Sequence, residues 1–189
     1  RNTSEEYKFA PNTMYGATKA SSDLILENFY NNYGLDIISL RFSVIYGPKR
    51  KTNSYIKDMI SAAINGEKLY LPFKSDLCWP YIYIDDVVSA FINTAITDKT
   101  IGKVLNVTSG VGHTIKDAFS LVSDHVAKLT GKKVKINHIE WPKGISMIER
   151  RNFIGNADEL KRITKWQPNT LFEEGVDIIV EGFWREKNC

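Results

Sequence analysis

Residues 11–48 read PNTMYGATKASSDLILENFYNNYGLDIISLRFSVIYGP. The first part predicts a helix over residues 12–33, because apolar residues recur at helical spacing and Gly34 provides a C-terminal stop. The second part, residues 37–45, is an almost uninterrupted apolar run of strand length, which is typical of a strand covered on both faces. The stretch therefore predicts one helix and one buried strand of an α/β protein.

Tyr15 and Lys19 lie four residues apart near the start of the predicted helix, so their side chains point to the same side of it. A nearby cation stabilises the phenolate form of a tyrosine, which makes the phenol a better general base. The pair is therefore a candidate acid/base site. A tyrosine and a lysine at this spacing also occur on ordinary surface helices, and the rest of the chain decides between the two interpretations.

Several further motifs follow the helix in order. They are LRFSVIYGP at residues 40–48, YIYIDDV at 81–87, LNVTSG at 105–110, NAD at 156–158, KWQP at 165–168 and EEG at 173–175. Together with the Tyr-x-x-x-Lys helix they resemble the extended short-chain dehydrogenase/reductase family, the nucleotide-sugar epimerases and dehydratases. The resemblance covers nearly the whole chain.

The resemblance implies an α/β fold with two parts. Residues 1–48 would be the last helix and strand of a Rossmann-type, doubly wound NAD(P)-binding domain. Residues 49–189 would be mainly a smaller α/β substrate-binding domain, with some segments returning to the Rossmann-type sheet. The family's glycine-rich turn and its catalytic Ser or Thr have no counterpart in the 189 residues. We therefore expect a C-terminal portion of such an enzyme, without turnover of its own.

The resemblance also implies roles for individual residues. Tyr15 would be the acid/base during hydride transfer at a sugar carbon, and Lys19 would bind the nicotinamide ribose. Phe42 and Val44 would lie beside the nicotinamide of NAD or NADP, and Ser43 and Val44 beside the sugar. Plain core packing is the simpler explanation for Phe42. The choice between NAD and NADP depends on residues outside this sequence.

Two departures from the family pattern bear on the substrate. Many nucleotide-sugar members carry Asn at the position of Val44 and Arg at the position of Trp79, where these residues contact the diphosphate or sugar. Arg150, Arg151 or the basic loop 49–51 can supply a replacement cation, unless they form a solvated basic surface. Trp79 can stack on a base or sugar, or simply pack. The departures keep open a non-nucleotide hydroxy or keto substrate and a catalytically silent ligand-binding relative.

Composition is that of an ordinary globular protein, with 43% hydrophobic and 25% charged residues. A net charge of +3 is too small to indicate nucleic-acid binding, and no apolar run reaches the ~20 residues of a membrane span. Two unpatterned cysteines, Cys78 and Cys189, are typical of free thiols in the cytoplasm. His113, His125 and His138 lack the spacing of a metal site.

The remaining sequence alternates helices and strands. It predicts helices at 54–65, 87–96, 115–129, 157–163 and 171–184, and strands at 69–73, 81–84, 104–107 and 134–139. Asp85 and Asp86 are expected to cap the helix at 87–96 rather than to form an acid/base or metal pair. The resemblance finally implies a homodimer through the Tyr-Lys helix, which would place Leu24, Phe29 and Tyr30 in the interface.

Overall fold

The computed structural model describes residues 2–8, 10–51, 54–72, 76–140, 143, 150 and 152–188. The helices are Met14–Tyr33 (α1), Tyr55–Ile64 (α2), Ile84–Ala95 (α3), Ile115–Thr130 (α4), Asp158–Thr164 (α5) and Phe172–Asn188 (α6). The strands are Asn2–Thr3 (β1), Ser39–Phe42 (β2), Val44–Tyr46 (β3), Leu69–Pro72 (β4), Cys78–Trp79 (β5), Tyr81–Tyr83 (β6), Val104–Val107 (β7), His113–Thr114 (β8), Ile136–Ile139 (β9) and Ile154–Gly155 (β10). A 3-10 turn covers Asp98–Thr100.

Helix α1 confirms the helix predicted at the start of the chain. The Thr13 side chain accepts a hydrogen bond of 3.0 Å from the Gly16 backbone N–H and so caps the first turn. Gly34 ends the helix in the left-handed conformation, with φ 64°. No residue of α1 is buried, so this helix lies on the outside of the described structure.

The strand predicted over residues 37–45 changes its neighbour partway along. Strand β2 pairs in parallel with β7, and β3 pairs in parallel with β6. The change occurs at Ser43, whose backbone N–H donates to the Val107 carbonyl, while the next N–H, of Val44, donates to the Pro80 carbonyl. Residues 39–46 thus form one segment that pairs first with β7 and then with β6. The carboxyl end of β7 and the amino end of β6 diverge at Ser43, and we call the space at this divergence the crevice.

The other strands form small pairs. β4 pairs with β9 and β1 with β10, both in parallel, while β5 pairs with β8 antiparallel. The predictions at 69–73, 81–84, 104–107 and 134–139 are confirmed as β4, β6, β7 and β9, with bounds shifted by up to two residues. The predicted helices are confirmed as well, and α4 begins with a capping box between Thr114 and Asp117.

The buried residues form two clusters. One surrounds β2, β7, α3 and α5, and contains Ile82, Val87, Ala90, Leu105, Val107, Ala157, Leu160 and Trp166. The other lies between α2, α4, α6 and β4, and includes Ile56, Ile60, Leu69, Phe119, Val122, Val176 and Ile179. Segments 82–107 and 157–166 thus share a cluster with β2, although they lie beyond residue 48. The division of the chain at residue 48 stays a prediction.

The prediction that Asp85 or Asp86 caps α3 is wrong. Helix α3 begins three residues earlier than predicted, at Ile84, and its N-cap residue Tyr83 provides no side-chain cap. The Asp86 carboxylate is buried and instead accepts hydrogen bonds from the backbone N–H groups of Asn169 and Thr170. The backbone N–H groups of the distant loop at residues 169–170 need acceptors, so the Asp86 carboxylate bonds to them instead of capping its own helix.

Candidate active site

Tyr15 and Lys19 meet as their spacing predicts. Both lie on the first two turns of α1, and Lys19 Nζ is 5.5 Å from the centre of the Tyr15 ring. The Tyr15 side chain is 59% exposed, so its hydroxyl is open to a ligand. The ammonium group of Lys19 therefore lies beside the face of the Tyr15 ring.

Ser43 marks the crevice between the diverging strands. Its hydroxyl oxygen is buried and has no hydrogen-bond partner among the described residues. A buried hydroxyl without a partner is costly, so a bound polar group would stabilise it. Open α/β sheets bind ligands outside the carboxyl ends of their strands, and the carboxyl ends of β2 and β7 lie at Ser43.

A large open cavity of about 1660 Å³ joins the helix to the crevice. Its walls include the four residues predicted for the acid/base and cofactor positions, Tyr15, Lys19, Phe42 and Val44, together with Ser43, which was predicted to contact the sugar. Phe42 also packs against Phe91 with ring centres 5.2 Å apart, as the simpler interpretation of this residue expected. The cavity therefore brings the phenol, the ammonium and the crevice to one space.

A smaller cavity of about 280 Å³ lies on the other side of Val44. Trp79 forms part of its wall and is only 2% exposed, packed edge-on against Tyr55 with ring centres 5.4 Å apart. The indole is thus mainly a core group with one surface toward this space. Arg50 lines both cavities, and its Nη1 donates to the Ile45 carbonyl at 2.6 Å.

Other predicted cations are placed less centrally. Lys49 lines the large cavity, whereas Lys51 and Arg150 are exposed. Arg151, predicted to bind substrate, lies outside the described residues. Among the candidates for a replacement cation, Arg50 is therefore the described residue that reaches both cavities.

Two further ring groups near the core are poor acid/base candidates. Burial raises the pKa of the Tyr46 phenol well above its usual range, and its hydroxyl donates to the Phe172 carbonyl. Burial also lowers the pKa of His113, which stacks on the Phe172 ring with centres 4.3 Å apart. Both groups therefore stay neutral near pH 7.

Sequence reasoning assigned no role to two residues at these cavities. Tyr55 follows the Ser54 cap of α2, and only the fold brings its ring to Trp79. Asp23 lies one turn beyond Lys19 and bonds to Ser39 and Arg41 of β2. The i, i+4 spacing from Lys19 to Asp23 was a usable signal, whereas Tyr55 carried none.

Groups of His, Cys, Asp and Glu that could hold a metal ion do not occur among the described residues. In the same part of the chain, no helix combines the length and apolar character needed to cross a bilayer.

Comparison with known proteins relates this arrangement to a family. The family described as GDP-mannose 4,6 dehydratase matches residues 1–179. The chain is 27% identical over 186 residues to dTDP-glucose 4,6-dehydratase 1 of Escherichia coli (strain K12), covering 95% of this chain and 49% of that protein. It thus spans about half the length of the curated relatives it matches.

Solved structures agree in fold. A UDP-glucose 4-epimerase of Thermotoga maritima with UDP-glucose matches with a TM-score of 0.86 at 26% identity, covering 99% of this chain and 58% of that one. A dTDP-glucose 4,6-dehydratase of Bacillus anthracis in complex with NAD matches with a TM-score of 0.81 at 28% identity, covering 100% of this chain and 56% of that one. These matches confirm the α/β fold class predicted from the sequence, with this chain as the C-terminal portion of such a structure.

Proposed function

The chain belongs to the GDP-mannose 4,6 dehydratase family, and from that premise we propose that it is part of an NAD(P)-dependent epimerase or dehydratase acting on a nucleotide sugar. One observation carries the proposal: Lys19 Nζ lies 5.5 Å from the Tyr15 ring, and both side chains face the cavity that reaches Ser43 and Val44. This arrangement supports a site in which a sugar carbon and a nicotinamide would meet beside the pair.

The described residues fit a dinucleotide. The cavity beside Lys19 is large, and the buried Ser43 hydroxyl has no partner of its own among the described residues. Lys19 would hold the ribose, and Phe42 and Val44 would lie along the nicotinamide. Bound NAD(P) supplies a hydride acceptor that can later return the hydride.

Tyr15 acts on the proton of the reacting hydroxyl. As the carbon to which that hydroxyl is attached loses hydride, the Tyr15 phenolate takes the proton and a ketone forms. The Lys19 ammonium stabilises the phenolate by its charge. The same phenol returns the proton when the ketone is reduced, so one residue serves both directions.

Binding of the substrate phosphates would require a cation in the smaller cavity, on the other side of Val44. Arg50 supports this role best, because it lines both cavities. Ser43 and Val44 would contact the sugar, Trp79 would form an apolar wall of the substrate cavity, and Arg151 would add a second cation.

A second candidate is a family member that acts on a hydroxy or keto compound without a nucleotide. Val44 and Trp79 favour it, since neither side chain supplies the charge or amide that binds a diphosphate. A silent ligand-binding relative is a weaker candidate, because the Tyr15 and Lys19 pair would have no use in it.

We also propose a homodimer formed through α1. Of the residues predicted for the interface, Leu24 and Phe29 are exposed on this helix, whereas the Tyr30 ring lies against Gly102. Ile25 and Tyr33 are exposed on the same helix, and a second copy of α1 would remove these apolar side chains from water. The cytoplasm is the proposed location, since Cys78 is a free thiol.

The test is a thermal-shift and calorimetric titration of the 189-residue chain with UDP-, dTDP-, GDP-, ADP- and CDP-sugars. Free sugars and NAD serve as controls. Stabilisation by one nucleotide sugar, weakened in Arg50→Gln and Arg151→Ala variants and retained in Lys51→Gln, supports the proposal and identifies the nucleotide. A folded chain that responds to a free sugar and to no nucleotide sugar supports the second candidate.

We expect no NAD-dependent turnover by this chain alone. A measurable rate from the purified chain would contradict that expectation and would itself establish the oxidoreduction chemistry.

A further inference from the structure

Asp23 is the residue through which α1 is attached to the sheet. Its carboxylate accepts a hydrogen bond of 2.7 Å from Arg41 Nε and another from the Ser39 hydroxyl, both on β2. The Asp23 side chain is 14% exposed, although no residue of α1 counts as buried. A helix without a buried apolar stripe is not held in one rotation by core packing, so a polar contact of this kind has more weight.

The partner of Asp23 is itself fixed in place. Arg41 Nη1 donates to the Glu5 carbonyl at 3.0 Å, and the Glu5 carboxylate accepts from the Asn106 backbone N–H of β7 at 2.8 Å. The Arg41 side chain is 26% exposed and therefore partly shielded from water. The carboxylate of Asp23 thus binds a guanidinium group that neighbouring segments hold from the other side.

The direction of α1 follows from a second contact. The Tyr30 ring lies directly against Gly102, which immediately precedes Lys103 and the amino end of β7. Since β7 runs parallel to β2, the C-terminal half of α1 lies at the amino ends of the strands. The N-terminal half, with Tyr15 and Lys19, therefore lies toward their carboxyl ends.

The dimensions of helix and strand then set the register. From Asp23 back to Lys19 is about 6 Å along the helix axis, and Tyr15 is about 6 Å further. From Arg41 forward to Ser43 is about 7 Å along the strand. With Asp23 opposite Arg41, Lys19 comes level with Ser43, and Tyr15 lies one turn beyond it.

We propose that Asp23 is a positioning residue that fixes the register of α1, so that Tyr15 and Lys19 face the crevice at Ser43. The pairing of Asp23 with Arg41 also keeps Asp23 from pairing with Lys19. Without Arg41, the Asp23 carboxylate would lie one helical turn from the Lys19 ammonium group and would pair with it. Arg41 thus keeps Lys19 available to the site. This role rests on the proposed function of Tyr15 and Lys19.

The first test measures acylation of Lys19 by an N-hydroxysuccinimide ester in the 189-residue chain, followed by mass spectrometry. In Arg41→Met, the released Asp23 carboxylate pairs with Lys19, and we expect acylation to fall about twofold. The double variant Asp23→Asn with Arg41→Met restores it. Glu27→Gln, the same change of charge one turn further along α1, has no such rescuing effect when combined with Arg41→Met.

The second test measures amide hydrogen exchange in α1, with α4 as the internal standard for a folded chain. Asp23→Asn and Arg41→Met accelerate exchange in residues 14–33, whereas Asp23→Glu keeps the carboxylate and preserves protection. Ser39→Ala removes one hydrogen bond of Asp23 but leaves the ion pair between Asp23 and Arg41 in place. We therefore expect a smaller acceleration of exchange than in Asp23→Asn.

Two results would overturn the proposal. One is unchanged exchange of α1 in Asp23→Asn, and the other is unchanged or faster acylation of Lys19 in Arg41→Met, as a merely loosened helix would give. Neither test uses a nucleotide sugar or NAD(P), so failure of the proposed function leaves both readouts intact and separately interpretable.

Discussion

The carboxylate of Asp86, in the first turn of α3, accepts a hydrogen bond of 2.8 Å from the backbone N–H of Asn169, 83 residues further along the chain. A second one, of 3.1 Å, comes from the Thr170 N–H. Asp86 is 4% exposed, so water does not replace either donor. The loop before α6 is therefore anchored to α3, and through it the two buried clusters are joined.

Replacing Asp86 by Asn should destabilise the chain by about 1.5–3 kcal/mol, because hydrogen bonds to a charged group contribute about that much and one acceptor is lost. Urea unfolding followed by circular dichroism measures the change in free energy of unfolding. Asp85→Asn, one position earlier and exposed, is the matched control and should be close to neutral. Equal effects of the two substitutions would contradict the anchoring role.

Tyr15→Phe should lower kcat of the complete enzyme by a factor of about 10² to 10⁴, the usual contribution of a general acid/base. The affinity for the nucleotide sugar should stay within a few-fold, since the ring remains. Steady-state kinetics and calorimetry separate the two effects. Tyr33→Phe, on the same helix and also exposed, should leave the rate unchanged. A Tyr15→Phe enzyme of ordinary rate would remove Tyr15 from the mechanism.

Val44→Asn should tighten binding of a nucleotide sugar by about two- to tenfold, the effect of one added hydrogen bond of about 0.5–1.5 kcal/mol. The reason is the position of Val44 in the walls of both cavities. Calorimetric titration of Val44→Asn and Val44→Ala measures the change and controls for lost volume. Equal affinities in the two variants would indicate that no substrate oxygen comes near residue 44.

Stability should fall as the pH falls below about 6.5, partly because of His113. Burial lowers the pKa of His113, with Glu173 and Asp117 opposing the shift. The unfolded chain then binds a proton at His113 more readily than the folded chain does. The contribution of neutral His113 to the stability of the fold is therefore complete above the pKa of the unfolded chain, about 6.5. It is lost as the pH falls through the lower pKa that His113 has in the folded chain. His113→Gln should flatten this slope in thermal melts between pH 5 and 7.5 (roughly the range in which histidine titrates).

A slope that persists in His113→Gln would assign the effect to another group.

Local signals in the sequence predicted the helices well. Thr13 and Gly34 around α1, and Thr114 and Gly131 around α4, act through neighbouring backbone groups, so their effect can be read within a few residues. The contact between Tyr15 and Lys19 was predictable for the same reason, since it depends only on one turn of helix.

Long-range contacts were not predictable in this way. The two-residue strands β1, β5, β8 and β10 are too short to carry a period, and each exists only because of its partner. Asp86 has the residue type and position of a helix cap, yet the N–H groups of Asn169 and Thr170 compete for it from a distant loop. The Asp23–Arg41 pair likewise needs the register between α1 and β2.

The change of partner at Ser43 has a consequence for how the molecule unfolds. Residues 39–46 are one unbroken segment, and they belong to the cluster around β7 at one end and to the cluster around α2 at the other. Unfolding of either cluster therefore disturbs the part of this strand that belongs to the other cluster. We expect a single cooperative transition, in which the calorimetric enthalpy equals the van't Hoff enthalpy, rather than independent melting of two units.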